Sequence, residues 1–132
     1  NPPGSGKNFI MLGFQYAISV AEAAIATQHL IAGYSSAGVV THTVVLPSPG
    51  IQNCFINGTS GSIANADTEC TIVNPFYLLP IRGGFTAAAL GGPGTGNWID
   101  LNGMFTIPPG GWIANGSLTA TTGFAAFVWT ER

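Results

Sequence analysis

The sequence predicts an all-β fold, a two-sheet sandwich of jelly-roll type. Three observations support this prediction. The apolar or alternating segments are short, and 19 glycines and 9 prolines punctuate the chain at intervals typical of β-strands and turns. Eight or nine strands can be placed in 132 residues, which is enough for two packed sheets. No βαβ alternation is visible, and the length corresponds to one domain, predicted as an N-terminal arm (1–8) and a single β-sandwich (9–132).

The first strand is predicted over residues 8–20. From residue 10 onwards its even positions are all large, so this face is predicted to be core: Ile10, Leu12, Phe14, Tyr16, Ile18 and Val20. The opposite face begins with Phe9 and Met11 and then becomes small or polar. Such a half-apolar outer face is expected where a neighbouring subunit covers part of the strand.

The middle of the chain carries weaker strand signals. Residues 21–32 fit either a short helix or, as we prefer, a turn followed by a strand. Residues 38–46 predict a clean strand that ends at a Pro-Ser-Pro-Gly run. Further strands are predicted within 51–61 and 69–80, and the prolines of the second segment limit it to a sheet edge or extended chain.

The C-terminal part predicts three more strands. Residues 98–107 alternate as one strand. Residues 112–117 form a short strand that ends at Asn115-Gly116, a dipeptide favoured in hairpin turns. Residues 124–130 are apolar on both faces, which predicts a strand that is central in a sheet or lies at a subunit interface.

Charged residues are rare, and this excludes several classes of function. The chain has three Lys or Arg and five Asp or Glu, 6% of its residues, against about 25% in ordinary domains. It therefore lacks the basic surface that nucleic acid or an anionic membrane requires, and no apolar run is long enough for a membrane helix. A surface so poor in charge suits contact with other protein, so we expect an oligomer or a larger assembly.

Candidate catalytic and metal-binding groups are sparse. His29 and His42 lie in no nucleophile or metal motif, and the few acids suggest no catalytic pair. We therefore predict that the chain is not an enzyme and holds no metal or cofactor. Cys54 and Cys70 are either two buried thiols or a disulfide, because the sequence does not reveal the redox compartment.

Three aromatic residues leave two interpretations open. Trp98, Trp112 and Tyr77 could form a platform on which a sugar stacks, or they could pack in the core or an interface. A glycan ligand therefore stays possible at this point.

Three stretches of the chain resemble small virion proteins of tailed bacteriophages. They are the opening NPPGSGKNFIML, the turn FTIPPGGW at 105–112, and the closing GSLTATTGFAAFVWTER at 116–132. In these stretches the chain is similar to capsid decoration (cement) proteins and to head or tail fibre tips. The resemblance implies a jelly roll like that of tumour necrosis factor, assembled as a homotrimer and without catalytic residues. It does not extend to residues 47–97.

We therefore expect a non-enzymatic virion protein that decorates and stabilises a bacteriophage capsid. Its partners would be copies of itself and the major capsid protein at the capsid surface. The residues predicted for the trimer interface are Tyr16, Phe124, Phe127 and Trp129. The residues predicted to contact the capsid are Pro2, Pro3, Lys7 and Asn8. The alternatives are a receptor- or carbohydrate-binding fibre tip and a secreted lectin-like module.

Overall fold

The computed structural model describes residues 1–18, 27–34, 40–42, 61–64, 70–72, 75–82, 97–117 and 123–132. These residues contain β-strands and turns but no helix, so the all-β prediction is confirmed. Accordingly, no helix in this part of the chain is long and apolar enough to cross a membrane. The strands of the described part are β1 (Phe9–Ile18), β2 (Gln28–Tyr34), β3 (Val40–His42), β4 (Cys70–Ile72), β5 (Phe76–Arg82), β6 (Asn97–Asp100), β7 (Thr106–Ile107), β8 (Gly111–Ser117) and β9 (Gly123–Glu131).

The first sheet is built around β1. Strands β6 and β7 follow each other along one edge of β1, and β9 runs along the other edge, all antiparallel to it. Phe9 of β1 therefore lies between Ile107 of β7 and Glu131 of β9. Tyr16, further along β1, lies between Asn97 of β6 and Ala125 of β9.

The second sheet has the order β5-β2-β8, again antiparallel, with β2 in the centre. Strands β3 and β4 form a separate two-stranded sheet in which His42 lies opposite Cys70. Much of the sequence predicted to form strands at 38–46 and 51–61 lies outside the described residues, as do all of 21–26 and 83–96. Within the described part, residues 28–34 are strand, in agreement with the preferred interpretation of that segment.

One hydrophobic core joins the first two sheets. Its buried members are Phe9, Met11, Phe14, Tyr16, Leu30, Leu101 and Ile107. Phe14 is fully buried, and its ring lies 4.8 Å, centroid to centroid, from the ring of Phe127 on β9. Because β1 and β2 both contribute to this core, the two antiparallel sheets are compatible with a sandwich.

A β-bulge in β1 makes part of the predicted core face wrong. The register with β9 shifts between Met11 and Gly13, so Leu12 is an extra residue with no partner of its own. One extra residue inverts the alternation of a strand. Phe9 and Met11 are therefore in the core together with Phe14, whereas Leu12 is 40% exposed.

Backbone hydrogen bonds from the β6–β7 connection hold this bulge in place. The amide N–H groups of Leu101 and Asn102 both donate to the carbonyl oxygen of Leu12, over 2.9 and 3.2 Å. The amide N–H group of Gly103 donates to the carbonyl oxygen of Met11 over 2.8 Å. The predicted single strand 98–107 is thus interrupted by a turn, in which Asn102 and Gly103 have positive φ angles of 45° and 75°. The alternation continues across the turn, since Leu101 and Ile107 both reach the core.

The predicted hairpin turn at Asn115-Gly116 is also wrong. Both residues lie inside β8, opposite Leu30 and His29 of β2. Pairing with a central strand overrides the turn preference of the dipeptide, which is a local preference only.

Candidate functional site

The first sheet presents one broad surface away from the core, which we call the outer face. Cross-strand partners share a face of a sheet, and exposed Gln15 lies opposite both Trp98 and Ala126. Two positions further along β1, Ala17 lies opposite Phe124. The outer face consists of these residues and those in phase with them on β1, β6, β7 and β9. Its two large aromatic residues are strongly exposed, Trp98 at 54% and Phe124 at 74%.

The outer face is nearly free of charge. Within the paired rows of the four strands, the charged member of this face is Asp100, opposite Gly13. Exposed Arg132, whose backbone pairs with Asn8, borders the face just beyond β9. The Asp100 carboxylate accepts a hydrogen bond from the backbone N–H of Asn102 over 3.2 Å. The other members near it are Val128, which also lies opposite Gly13, and exposed Ala126. This face therefore exposes apolar surface of the kind that marks protein-contact sites.

The indole of Trp98 lies directly on the backbone of β1. A Cβ atom placed on Gly13 would stand 2.0 Å from Cζ2 and 2.2 Å from Cη2 of that ring. The second sheet repeats the arrangement, because a Cβ on Gly33 would stand 2.5 Å from Cζ2 of Trp112. In both places a strand glycine leaves room for a tryptophan of the neighbouring strand to lie flat on the sheet.

These two tryptophans lie on different surfaces of the molecule. Trp98 belongs to the outer face of the first sheet. Trp112 pairs with Gly33 of β2. Gly33 is on the same face of β2 as Ile31, whereas Leu30 is on the opposite face and belongs to the core. Trp112 is therefore on the side of the second sheet that faces away from the core. A single platform containing both Trp98 and Trp112 does not form.

The N-terminal segment folds back on the sheets. The Asn1 side-chain N–H₂ group donates to the carbonyl oxygens of Lys7 and Ile107, each over 2.8 Å. The Ser5 hydroxyl donates to the Asn1 side-chain oxygen over 2.8 Å. The segment is thus closed into a loop beside β7.

The two ends of the described fold are paired with each other. Asn8 donates its backbone N–H to the carbonyl oxygen of Arg132 over 2.7 Å, and Arg132 donates back to Asn8 over 3.0 Å. Of the residues predicted to contact a capsid, Pro3 and Asn8 are exposed, while Pro2 and Lys7 are half-buried.

Glu131 accepts several hydrogen bonds at this end of the first sheet. Its carboxylate accepts hydrogen bonds from the Lys7 ammonium over 3.0 Å, from Trp129 Nε1 over 3.4 Å and from the Ser62 hydroxyl. Its side chain is only 14% exposed. Burial acts to raise the pKa of Glu131, but the hydrogen bonds and the positive charge of Lys7 outweigh it and hold the pKa below its ordinary value of 4.5. The carboxylate therefore stays ionised and ties Lys7 to β9.

The structure distributes the predicted interface residues between two environments. Tyr16 is buried in the core, Phe127 packs on Phe14, and Trp129 stacks on Phe9 with 6.2 Å between ring centroids. Phe124 is exposed on the outer face. The pairing of Cys54 with Cys70 stays undescribed, because Cys54 lies outside the described residues.

Sequence reasoning missed two features of this region. The first is the seat of Trp98 on Gly13, which a lone glycine within a strand of large residues could have indicated. The second is the exposure of Leu12, for which the neighbouring Gly13 is the one local hint in the sequence. Among the described residues, no three His, Cys, Asp or Glu side chains come together as a metal site would require.

Comparison with protein-family models, with curated proteins and with solved structures finds no match to this chain.

Proposed function

We propose that this chain is a non-enzymatic structural protein that decorates and stabilises a bacteriophage capsid as a homotrimer of jelly-roll domains. The observation that carries the proposal is the outer face of the first sheet, where Trp98 and Phe124 are 54% and 74% exposed. Of the described residues in its strands, Asp100 is the charged member of this face. The sequence resemblance at both ends of the chain and the 6% content of charged residues support it independently.

The outer face is large enough to matter in an assembly. It spans three strands about 4.8 Å apart and nine residues of about 3.4 Å rise, roughly 15 by 30 Å. This projected area of roughly 450 Å² is more than half of the ~800 Å² that each partner contributes to a standard interface. Flanking loops would supply the remainder, and Phe124 would be its most exposed anchor.

Decoration would stabilise the capsid by mass action. A protein that binds only the assembled lattice lowers the free energy of that state and not of the dissociated subunits. The closed N-terminal loop, with exposed Pro3 and Asn8, is the proposed contact with the major capsid protein. A contact of this kind needs no reactive group, which agrees with the sparse titratable groups in the sequence.

The trimer is tested by the native mass of the purified chain at micromolar concentration. We expect three times 13.5 kDa for the wild type and a monomer for Phe124→Asp, because a carboxylate would be desolvated at the interface. Tyr34→Asp is the matched control, since Tyr34 is 48% exposed but lies on the second sheet. A wild-type monomer would refute the trimer.

The capsid role is tested on virions. Virions that lack this protein should lose their contents at a lower temperature than wild-type virions. Adding the purified protein should restore the wild-type temperature. Equal heat resistance with and without the protein would refute decoration as its role.

A further inference from the structure

The second sheet carries a cleft on its side away from the core. His29 and Ile31 of β2 line it, together with Gly116 of β8 and Tyr77 of β5. They share this surface because His29 lies opposite Gly116, and Ile31 lies opposite Tyr77. Ile72 of β4 and neighbouring Pro75 complete the wall, and the cleft has a volume of about 230 Å³.

Because Gly116 has no side chain, the side chain of Ile31 lies at the floor of the cleft. Ile31 is only 5% exposed and lies beside Gly116, where an added Cβ would stand 2.5 Å from the Ile31 Cδ1 atom. Any larger residue at 116 would therefore displace Ile31 or fill the space above it. The Ile31 side chain thus forms an apolar floor of the cleft.

The rim of the cleft carries two aromatic rings, those of His29 and Tyr77. The rings of His29 and Tyr77 meet edge to face, with 5.3 Å between centroids and an interplanar angle of 87°. Tyr77 is nonetheless 59% exposed, so much of its surface stays open to solvent. Asn115 and Ser117 also border the cleft, and no Asp, Glu, Lys or Arg is among its described lining residues.

This combination selects a class of ligand. The described lining residues offer no carboxylate, ammonium or guanidinium group that would compensate the desolvation of an ionic ligand. An apolar floor beside an aromatic ring suits the C–H face of a pyranose, and an imidazole at the rim can hydrogen-bond its hydroxyl groups. The volume is below the ~300–1,000 Å³ of sites for drug-sized molecules, so it corresponds to one ring rather than a long chain.

We propose that the cleft binds a single neutral saccharide ring, stacked on Tyr77 and hydrogen-bonded by His29. This inference does not rest on the trimer or on the capsid role, because the cleft lies on the second sheet and the outer face on the first.

The test is an NMR titration of the isotope-labelled full chain with four sugars: D-glucose, D-galactose, D-mannose and N-acetyl-D-glucosamine. We expect at least one of them to shift the ring signals of His29 and Tyr77 saturably, with a Kd on the order of 1 mM. Glycerol at equal hydroxyl concentration should leave these signals unmoved. No saturable shift with any of the four sugars, or an equal response to glycerol, would overturn the proposal.

Two variants make the assignment to this cleft specific. Tyr77→Ala should weaken the binding by about tenfold or more, because truncating an aromatic anchor removes the stacking surface. Phe76→Ala is the matched control, since Phe76 is the neighbouring residue, is also 59% exposed and does not line the cleft. Equal losses in the two variants would overturn the assignment, as would unchanged binding in Tyr77→Ala. His29→Gln, which keeps a hydrogen-bonding group, should retain more affinity than His29→Ala.

Discussion

Replacing Gly13 by alanine tests whether the glycine seats the Trp98 indole on the sheet. The three atoms nearest to an added Cβ all belong to that ring, the closest at 2.0 Å, so the ring must lift. Trp98 is 54% exposed, and its covered part is about 110 Å² of a side chain of up to ~250 Å². Burial of that area contributes about 2–3 kcal/mol at ~25 cal/mol per Å².

The sign of the effect should depend on the tryptophan. With Trp98 present, Gly13→Ala should lower the free energy of unfolding by about 1–2 kcal/mol, because lifting the ring forfeits much of its contact. With Trp98→Ala in the background, the same change should raise the free energy of unfolding by about 0.5–1 kcal/mol, since alanine loses less backbone entropy than glycine in a strand.

Urea unfolding of the four proteins of this double-mutant cycle measures the coupling directly. We expect a coupling energy of about 1.5–3 kcal/mol, at the upper end for residues in contact. If Gly13→Ala changes stability equally with and without Trp98, the indole is not seated on the glycine and the reasoning fails. The pair Gly33 and Trp112, with its closest approach of 2.5 Å, provides a second cycle that should show the same reversal of sign.

Two further predictions concern the bulge in β1 and the side-chain carboxylate of Glu131. Phe14→Ala should lower the free energy of unfolding by about 3–5 kcal/mol. Leu12→Ala should lower it by about 1 kcal/mol or less, because Leu12 is 40% exposed. Similar losses for the two variants in urea unfolding would contradict the bulge. For Glu131, the folded pKa lies below 4.5, so its contribution to stability is complete above the unfolded pKa and is lost as the pH falls through the folded value. Between about pH 5 and pH 3, Glu131→Gln should therefore lose less stability than the wild type. Urea unfolding midpoints at each pH measure this. An equal loss in both proteins would contradict the stabilisation of the Glu131 carboxylate by Lys7 and Ser62.

The sequence predicted the class of fold and the position of several strands, because spacing of apolar residues determines both. The extent of β1 and β9 follows from runs rich in aromatic and β-branched residues. The phase within β1 did not follow, since a bulge needs a partner strand to define it. Gly13 is the one local hint, and a glycine alone does not distinguish a bulge from a close contact.

The candidate site was less accessible to sequence reasoning than the fold. The alternation in 124–130 shows that both faces of the strand are apolar, but it does not reveal which face meets the core. The structure assigns Phe127 and Trp129 to the core and Phe124 to the outer face. The cleft at Tyr77 is lined by residues of four strands, β2, β4, β5 and β8, and no local pattern brings these strands together.

The placement of β1 has a consequence for how the chain acquires its structure. Within the described residues, the partners of β1 all come late in the sequence: Tyr16 pairs with Asn97, 81 positions later, and Phe9 pairs with Glu131, 122 positions later. During synthesis the apolar β1 therefore stays without these partners until residues 97–131 have left the ribosome. Contacts of such large sequence separation form slowly, and an unpaired apolar strand can join another chain. Nascent copies on one messenger would face this hazard together.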